Sequence, residues 1–397
     1  LATPYLVHPA ATVNIGINAH LLAGKAGYRR AGIHHYIFEV LRHLPRDDAG
    51  GLRYIIYTRQ LDGWDDRPDW QPSGTRLPTE NRLARIAWER AVWPWQARRD
   101  RLSLIHSMAF VMPRFAPCPV AVTIYDLSFV HYPEDFPAMQ QRYLMAETAR
   151  SCREARRIVT ISESGRQDVH ERFGVPLERI EVVRPGVADH YRPLPDQAVA
   201  AFRARNGLPE RFLLHVGTLQ PRKNIPLLLE ALSRLNRPDL PLVLAGGKGW
   251  IYEAIFARVQ ELGLSDRVHF AGYVPDEDLP FWYNAATALV CPSRYEGFGL
   301  PVIEALACGT PVLASNTSSL PEAGGTAARY FDPQSAGELA DLLASFLADE
   351  TSRDRARQAG PAQAARFTWE RAGQEMAAVY RRLVAGSLPV AGGHGAG

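Results

Sequence analysis

Two α/β domains, each built on a parallel sheet, are what this sequence predicts, and three observations predict them. The chain has 397 residues, more than one hydrophobic core ordinarily serves. Short β-rich apolar runs alternate with helix-length amphipathic runs along nearly all of it, the pattern of strand–helix–strand units. The alternation is interrupted by a stiff run, Arg192-Pro193-Leu194-Pro195, which reads as a linker. The division that follows is a first domain over 1–190, a second over 191–368, a closing helix over 369–385 and a disordered, small-residue-rich tail over 386–397.

Composition narrows the class. Hydrophobic residues make up 46% and charged residues 22%, as in an ordinary globular protein. The 45 basic residues nearly balance the 42 acidic ones, for a net charge of +3, so no nucleic-acid partner is expected. Cys118, Cys152, Cys291 and Cys308 are scattered, with neither metal-ligand spacing nor a paired framework. A reduced, cytoplasmic protein is expected. No apolar run reaches the ~18 residues of a membrane span, and residues 1–11 lack the basic start and apolar segment of a secretory leader.

In the first half, 13–19 (VNIGINA) reads as a strand, 20–31 as a loop bearing Gly, Lys and Arg, and 32–44 as a helix with Gly32 at its entrance. A strand over 52–58 and a loop over 61–74 follow. The stretch 82–101 mixes arginines with Trp88, Trp93 and Trp95. It reads first as an amphipathic helix broken at Pro94 with its tryptophans in the core, and second as a helix lying on a membrane surface. Strands over 102–106 and 120–125 end at His106 and at Tyr125-Asp126. Ligand sites of open α/β sheets gather at strand C-terminal ends, so these three residues are candidates for a pocket. A long helix over 136–156 leads to a strand over 157–161. Ser162 then caps the next helix, and a strand over 180–183 closes the half.

The second half restarts the same logic. A strand over 212–216 runs into Gly217-Thr218-Leu219-Gln220-Pro221-Arg222-Lys223-Asn224 and a helix over 225–235. Arg222 as a fork and Lys223 as a point charge suit phosphate oxygens; a solvated basic turn is the alternative. Strands over 240–245 and 268–271 end at Gly246-Gly247-Lys248-Gly249 and at Gly272-Tyr273-Val274. A short helix over 279–285 leads to a strand over 287–291, a loop over 292–299, a helix over 300–308 and a strand over 311–314. Pro301 sits in that helix's first turn and Gly309 at its end. Gly297 and Gly299 let the backbone approach a ligand, and the free N–H groups near Phe298 and Leu300 attract an anion. Glu296 stands at the mouth, and Glu304 lies one turn into the helix, leaning back toward it. Carboxylates beside a phosphate site are unfavourable unless they hold something else, and sugar hydroxyls are the natural candidate. A pyrophosphate between two hydroxyl-bearing groups describes a nucleotide sugar.

The run E-G-F-G-L-P-x-x-E-A-x-A-C-G-x-P-V-x-A-S resembles the donor signature of glycosyltransferase family 4, and G-T-L-Q-P-R-K-N resembles that family's phosphate loop. The resemblance spans about 13–383, strongly in the second half and more loosely in the first. It implies the GT-B fold, two facing Rossmann-like domains with the closing helix from Phe367-Thr368-Trp369-Glu370 crossing back to the first. It also implies retention of anomeric configuration, no metal and no cofactor, with a nucleoside diphosphate sugar as co-substrate. Donor contacts are then Gly32, Gly217, Thr218, Arg222, Lys223, Tyr273, Val274, Glu296, Gly297, Phe298, Gly299, Leu300 and Glu304, with Glu304 at the ribose and Tyr273 and Val274 at the base. Catalytic roles fall to Glu296, Arg222, Lys223 and Asp126, and acceptor contacts to Tyr125, Asp126 and His106.

The chain departs from the family's pattern in three places. His34 replaces a second glycine after Gly32, Thr218 stands where many relatives have Arg, and Tyr125 stands where relatives carry the histidine of the reaction centre. Tyr125 either packs or takes over that role. The flavour of V-G-T-L-Q-P-R-K-N and T-I-Y-D-L-S-F is that of bacterial surface-polysaccharide mannosyltransferases. The expected reaction passes mannose from GDP-mannose to a saccharide or lipid-linked acceptor, at the inner membrane face if the protein touches a membrane. UDP-hexose or dTDP-rhamnose donors, a sugar-nucleotide 2-epimerase, a pyridoxal-phosphate-dependent phosphorylase and an inactive binding subunit are the alternatives.

Overall fold

The computed structural model describes residues 12–22, 32–46, 51–59, 70–75, 77–79, 81–235, 237–247, 249 and 252–385. The expectations for residues 1–11, most of the loop 20–31, Lys248 and the tail 386–397 lie outside these. Two parallel sheets organise the chain. The first contains β1 (Val13–Asn18), β2 (Leu52–Tyr57), β3 (Trp70–Ser73), β4 (Leu102–Ser107), β5 (Val120–Ile124), β6 (Arg157–Thr160) and β7 (Ile180–Val182), in the order β3-β2-β1-β4-β5-β6-β7. The second contains β8 (Leu213–Val216), β9 (Leu242–Ala245), β10 (Val268–Gly272), β11 (Ala288–Cys291), β12 (Val312–Ser315) and β13 (Ala328–Phe331), in the order β10-β9-β8-β11-β12-β13. Both orders reverse direction after their first strand. The crevices at β1/β4 and β8/β11 are therefore topological switch points, where doubly wound sheets hold ligands.

The central strands are apolar on both faces because helices cover both. In β5 and β11 every residue is buried. Where periodicity was strong, elements lie where the sequence places them. Ser162 caps its helix through a 3.0 Å bond from the Gly165 N–H. Two expectations need correction. The end of the supposed loop 61–74 is a strand: β3 pairs in parallel with β2, and its Pro72 is tolerated because β3 lies at the sheet edge. The helix over 82–101 is not broken at Pro94. It runs as Arg82–Ala87, a π turn Trp88–Val92 and Trp93–Arg99. Residues five apart on an α-helix diverge by about 140°, yet Trp88 and Trp93 are both fully buried and stack at 5.2 Å. The wider turn brings them onto one face. That takes two of the three tryptophans off the surface and leaves Trp95 exposed.

The helix Trp369–Ala385 packs against Ile33–Arg42 and β4 of the first sheet. Tyr380 Oη lies 2.7 Å from His106 Nδ1. Among the described residues no helix is long and apolar enough to cross a membrane.

Candidate active site

The second sheet's switch point is occupied by charge. The turn Pro221–Lys223 follows β8, and the loop after β11 faces it. Glu296 Oε2 accepts from Arg222 Nη1 at 2.9 Å, and its Oε1 accepts from Lys223 Nζ at 2.5 Å and from Ser293 Oγ at 2.7 Å. Lys223 and Glu296 are both buried. Burial pushes the Glu296 carboxyl up, but Lys223 and Arg222 outweigh it and hold it well below the usual carboxylate range. Burial likewise works against the Arg222 charge, and Glu296 and Asp126 overcome it. Among the described residues Glu296 is the only carboxylate in ion-pair contact with these two cations.

Backbone donors stand next to this cluster. The helix Leu300–Ala307 starts from Gly299 at φ +107°, a conformation L side chains rarely adopt. Among the described residues no hydrogen bond engages the N–H groups of Gly297, Phe298, Gly299 or Leu300, and such groups attract anions. The Glu296 N–H donates to Ser318 Oγ at 3.0 Å, and Ser319 Oγ donates to the Glu296 carbonyl at 2.9 Å. Ser293, Ser318 and Ser319 escaped the sequence reading. For Ser318 and Ser319 the available signal was position, since they follow β12 at its C-terminal end.

Both flanks of Glu296 rest on the first domain. The Tyr295 hydroxyl accepts from the Leu127 N–H at 3.0 Å and donates to Asp168 Oδ2 at 2.6 Å. His131 Nε2 lies 2.8 Å from the same carboxylate. On the other side, a Cβ on Gly297 would come within 2.5 Å of the Tyr125 carbonyl oxygen, so only glycine allows this approach. Asp126 faces the cluster, with Oδ1 accepting from the Ser128 N–H and hydroxyl at 2.9 and 2.6 Å.

Other expected site residues fall elsewhere. His106 is fully buried, with Tyr380 Oη on Nδ1 and Thr123 Oγ1 at 2.9 Å on Nε2, so both nitrogens are occupied inside the core. It is not a pocket wall. The Tyr125 side chain is also withdrawn: its hydroxyl donates to the Met108 carbonyl at 2.6 Å and its ring packs on Tyr36 and Phe110. The Phe298 ring is buried against Phe367. Gly217 lies directly beneath the Lys223 stem, Thr218 and Leu300 are half-buried, and Tyr273 is exposed beside half-buried Val274 at the end of β10. Gly32 is exposed at the entrance of Ile33–Arg42.

Glu304 is buried apart from the cations. Tyr283 Oη donates to its Oε2 at 2.7 Å. Burial pushes its pKa from 4.5 up to about 8, the Tyr283 bond opposing and Asp276 adding to the rise. A carboxyl raised in the folded state contributes stability in full below pH 4.5 and loses it as pH climbs through about 8. Glu304→Gln removes this titration. The Tm of the variant relative to the wild type is expected to rise steadily from pH 5 to 8.5 in thermal melts; parallel curves would show that Glu304 is ionised in the folded protein.

The comparisons with known proteins bear on the family and the fold. Residues 30–191 match the family Glycosyltransferase Family 4, and residues 199–363 match Glycosyl transferases group 1. The O-antigen chain mannosyltransferase B of Escherichia coli is 33% identical over 293 residues, 73% of this chain and 77% of that protein. The serotype-specific mannosyltransferase WbdA of Escherichia coli is 32% identical over 219 residues, and the match spans only 27% of its length. Among solved structures, the sucrose-phosphate synthase of Thermosynechococcus elongatus superposes with a TM-score of 0.76 at 25% identity, covering 94% of this chain and 100% of that one. WaaG, a glycosyltransferase involved in lipopolysaccharide biosynthesis, superposes with a TM-score of 0.70 at 16% identity, covering 92% of this chain and 99% of that one.

Proposed function

The chain belongs to glycosyltransferase family 4, with the GT-B fold, and on that premise we propose that it transfers mannose from GDP-mannose to a hydroxyl of a saccharide or lipid-linked acceptor, with retention and without a metal. The observation that carries the reading is the buried Arg222–Lys223–Glu296 cluster at the β8/β11 switch point, beside unpaired N–H groups. The choice of mannose is supported by the relative that is 33% identical along most of both chains.

Donor binding then amounts to an exchange of partners. The diphosphate takes the N–H groups of 297–300 and draws Arg222 and Lys223 away from Glu296. Glu304 holds the ribose, the base lies by Tyr273 and Val274, and Gly32 lets the phosphates be approached from the first domain. Glu296, relieved of its cations, faces the sugar, where positive charge develops as the glycosidic bond breaks. The two cations stabilise the departing diphosphate. Contacts of Tyr295 and Gly297 with the first domain close the cleft, so these charges act with little water between them. The acceptor enters from the Asp126 side.

The test is a thermal-shift panel of nucleotide sugars followed by assay of nucleoside diphosphate release in EDTA. GDP-mannose is expected to raise the Tm by mass action and to release GDP with chelator present. Stabilisation by a UDP-hexose or dTDP-rhamnose instead would move the donor assignment. Release that stops in EDTA and returns with Mg²⁺ would overturn metal independence.

A further inference from the structure

The first sheet has a crevice at its own switch point. A cavity of about 170 Å³ opens where β1 and β4 diverge, between Asn18 at the end of β1 and the loop 109–111 after β4. That is the position at which a doubly wound sheet presents a ligand site. The volume equals five or six waters at ~30 Å³ each, room for one sugar ring. None of its lining residues belongs to the Arg222 cluster or to the acceptor contacts expected from the sequence.

Its walls are of two kinds. Asn18, Arg85, Glu89, Gln140 and Tyr143 give a polar rim, and Phe110 gives an aromatic face. A pyranose has the matching division, hydroxyls around its edge and C–H groups on its faces. Glu89 is the notable member. Its Oε1 accepts from Asn18 Nδ2 at 3.0 Å, and among the described residues Oε2 has no partner and no cation lies within ion-pair distance. Such a carboxylate accepts two neighbouring hydroxyls at once. Burial pushes its pKa up to about 7, with Arg85, Asn18 and Arg90 opposing and Glu147 adding to the rise.

The backbone at this place is unusual twice over. Glu89 is carried by the π turn Trp88–Val92, and such turns concentrate at functional sites. Opposite it, Phe110 adopts φ +52° in a tight turn closed by the Val111 N–H on the Ala109 carbonyl at 2.5 Å. A non-glycine residue in that region is strained, and such strain also clusters at ligand sites. Two residues in contact connect the cavity to the loop that carries Glu296. Phe110 packs on Tyr125 at 5.8 Å, and the Tyr125 carbonyl abuts Gly297.

We propose that this cavity is an acceptor-sugar subsite, with two ring hydroxyls on Glu89 and one ring face on Phe110. The assignment rests on the glycosyltransferase reading above. It is tested by saturation-transfer NMR on the intact protein with methyl glycosides of mannose, glucose, galactose, N-acetylglucosamine and rhamnose, in the presence of nucleoside diphosphate. Two variants are compared with the wild type: Glu89→Gln, which removes the charge, and Leu144→Phe, which fills the cavity from its wall. Circular dichroism and nucleoside diphosphate affinity establish that each is folded. At least one glycoside is expected to bind the wild type, with affinity lowered tenfold or more in both variants. Glycoside binding equal in all three proteins, or no glycoside binding to the wild type, overturns the subsite. Failure of the transferase reading itself appears separately, as absence of nucleoside diphosphate affinity in the wild type.

Discussion

Glu296→Gln is expected to lower kcat by roughly 10²-fold, the size of other preorganised electrostatic contacts, and to destabilise the unliganded protein. The two effects have one origin. In the free protein this carboxylate is the shared partner of Arg222 and Lys223. Removing one member of a buried ion pair typically costs about 3–5 kcal/mol, because the remaining charge is left without compensation. A bound diphosphate supplies the missing anion. The Tm of Glu296→Gln should therefore fall in buffer, and its rise on adding nucleoside diphosphate should exceed that of the wild type. Steady-state kinetics and paired melts measure both. An undiminished kcat, or a ligand-induced shift no larger than the wild type's, would remove Glu296 from the centre of the site.

Lys223→Ala is expected to weaken nucleoside diphosphate binding by roughly 10- to 100-fold, since a hydrogen bond to a charged group is worth about 1.5–3 kcal/mol, with kcat/KM falling at least as far. Lys223→Arg should not restore it. The lysine stem passes over Gly217 so closely that a Cβ there would stand 3.3 Å from its Cε, and its amine already reaches Glu296 at 2.5 Å. A branched guanidinium needs width that this channel lacks. Isothermal titration on folded variants decides the point. Unchanged affinity in Lys223→Ala would reduce the residue to a structural partner of Glu296, and full recovery in Lys223→Arg would show that only charge matters.

Much of the architecture was legible because its signals are local. An apolar run, a loop with glycine and a proline in a helix's first turn are read within a dozen residues, and all strands of both sheets except the edge strands β3 and β13 follow from them. The cation pair of the candidate site was legible for the same reason, since Arg222 and Lys223 stand in the turn that follows a strand. What escaped depends on distant neighbours. His106 looks like a strand-end ligand until Tyr380, 274 residues away, takes its Nδ1. The Tyr125 hydroxyl is spent on a carbonyl that no spacing rule indicates. The π turn is invisible to a search for a 3.6-residue period, because Trp88 and Trp93 are out of phase on an ordinary helix. Glu304 was legible as a residue one turn into its helix, but its raised pKa comes from a depth of burial that sequence does not report and that outweighs the opposing bond from Tyr283. β3 was obscured by Pro72, which argues against a strand everywhere except at an edge.

The paired footing of the loop that carries Glu296 also bears on how such an enzyme can diversify. Tyr295 stands on Leu127 and Asp168, and Gly297 on the Tyr125 carbonyl. A lineage acquiring a new acceptor must reshape the first domain without disturbing these footholds, or the carboxylate between them shifts with the change. Innovation is thereby channelled away from the ends of β5 and the face of the helix Glu163–Phe173, and toward the β1/β4 crevice and its π turn, where no foothold stands among the described residues. The fold separates a region that tolerates experiment from one that does not, and the border between them runs through the side chain of Phe110, which touches both.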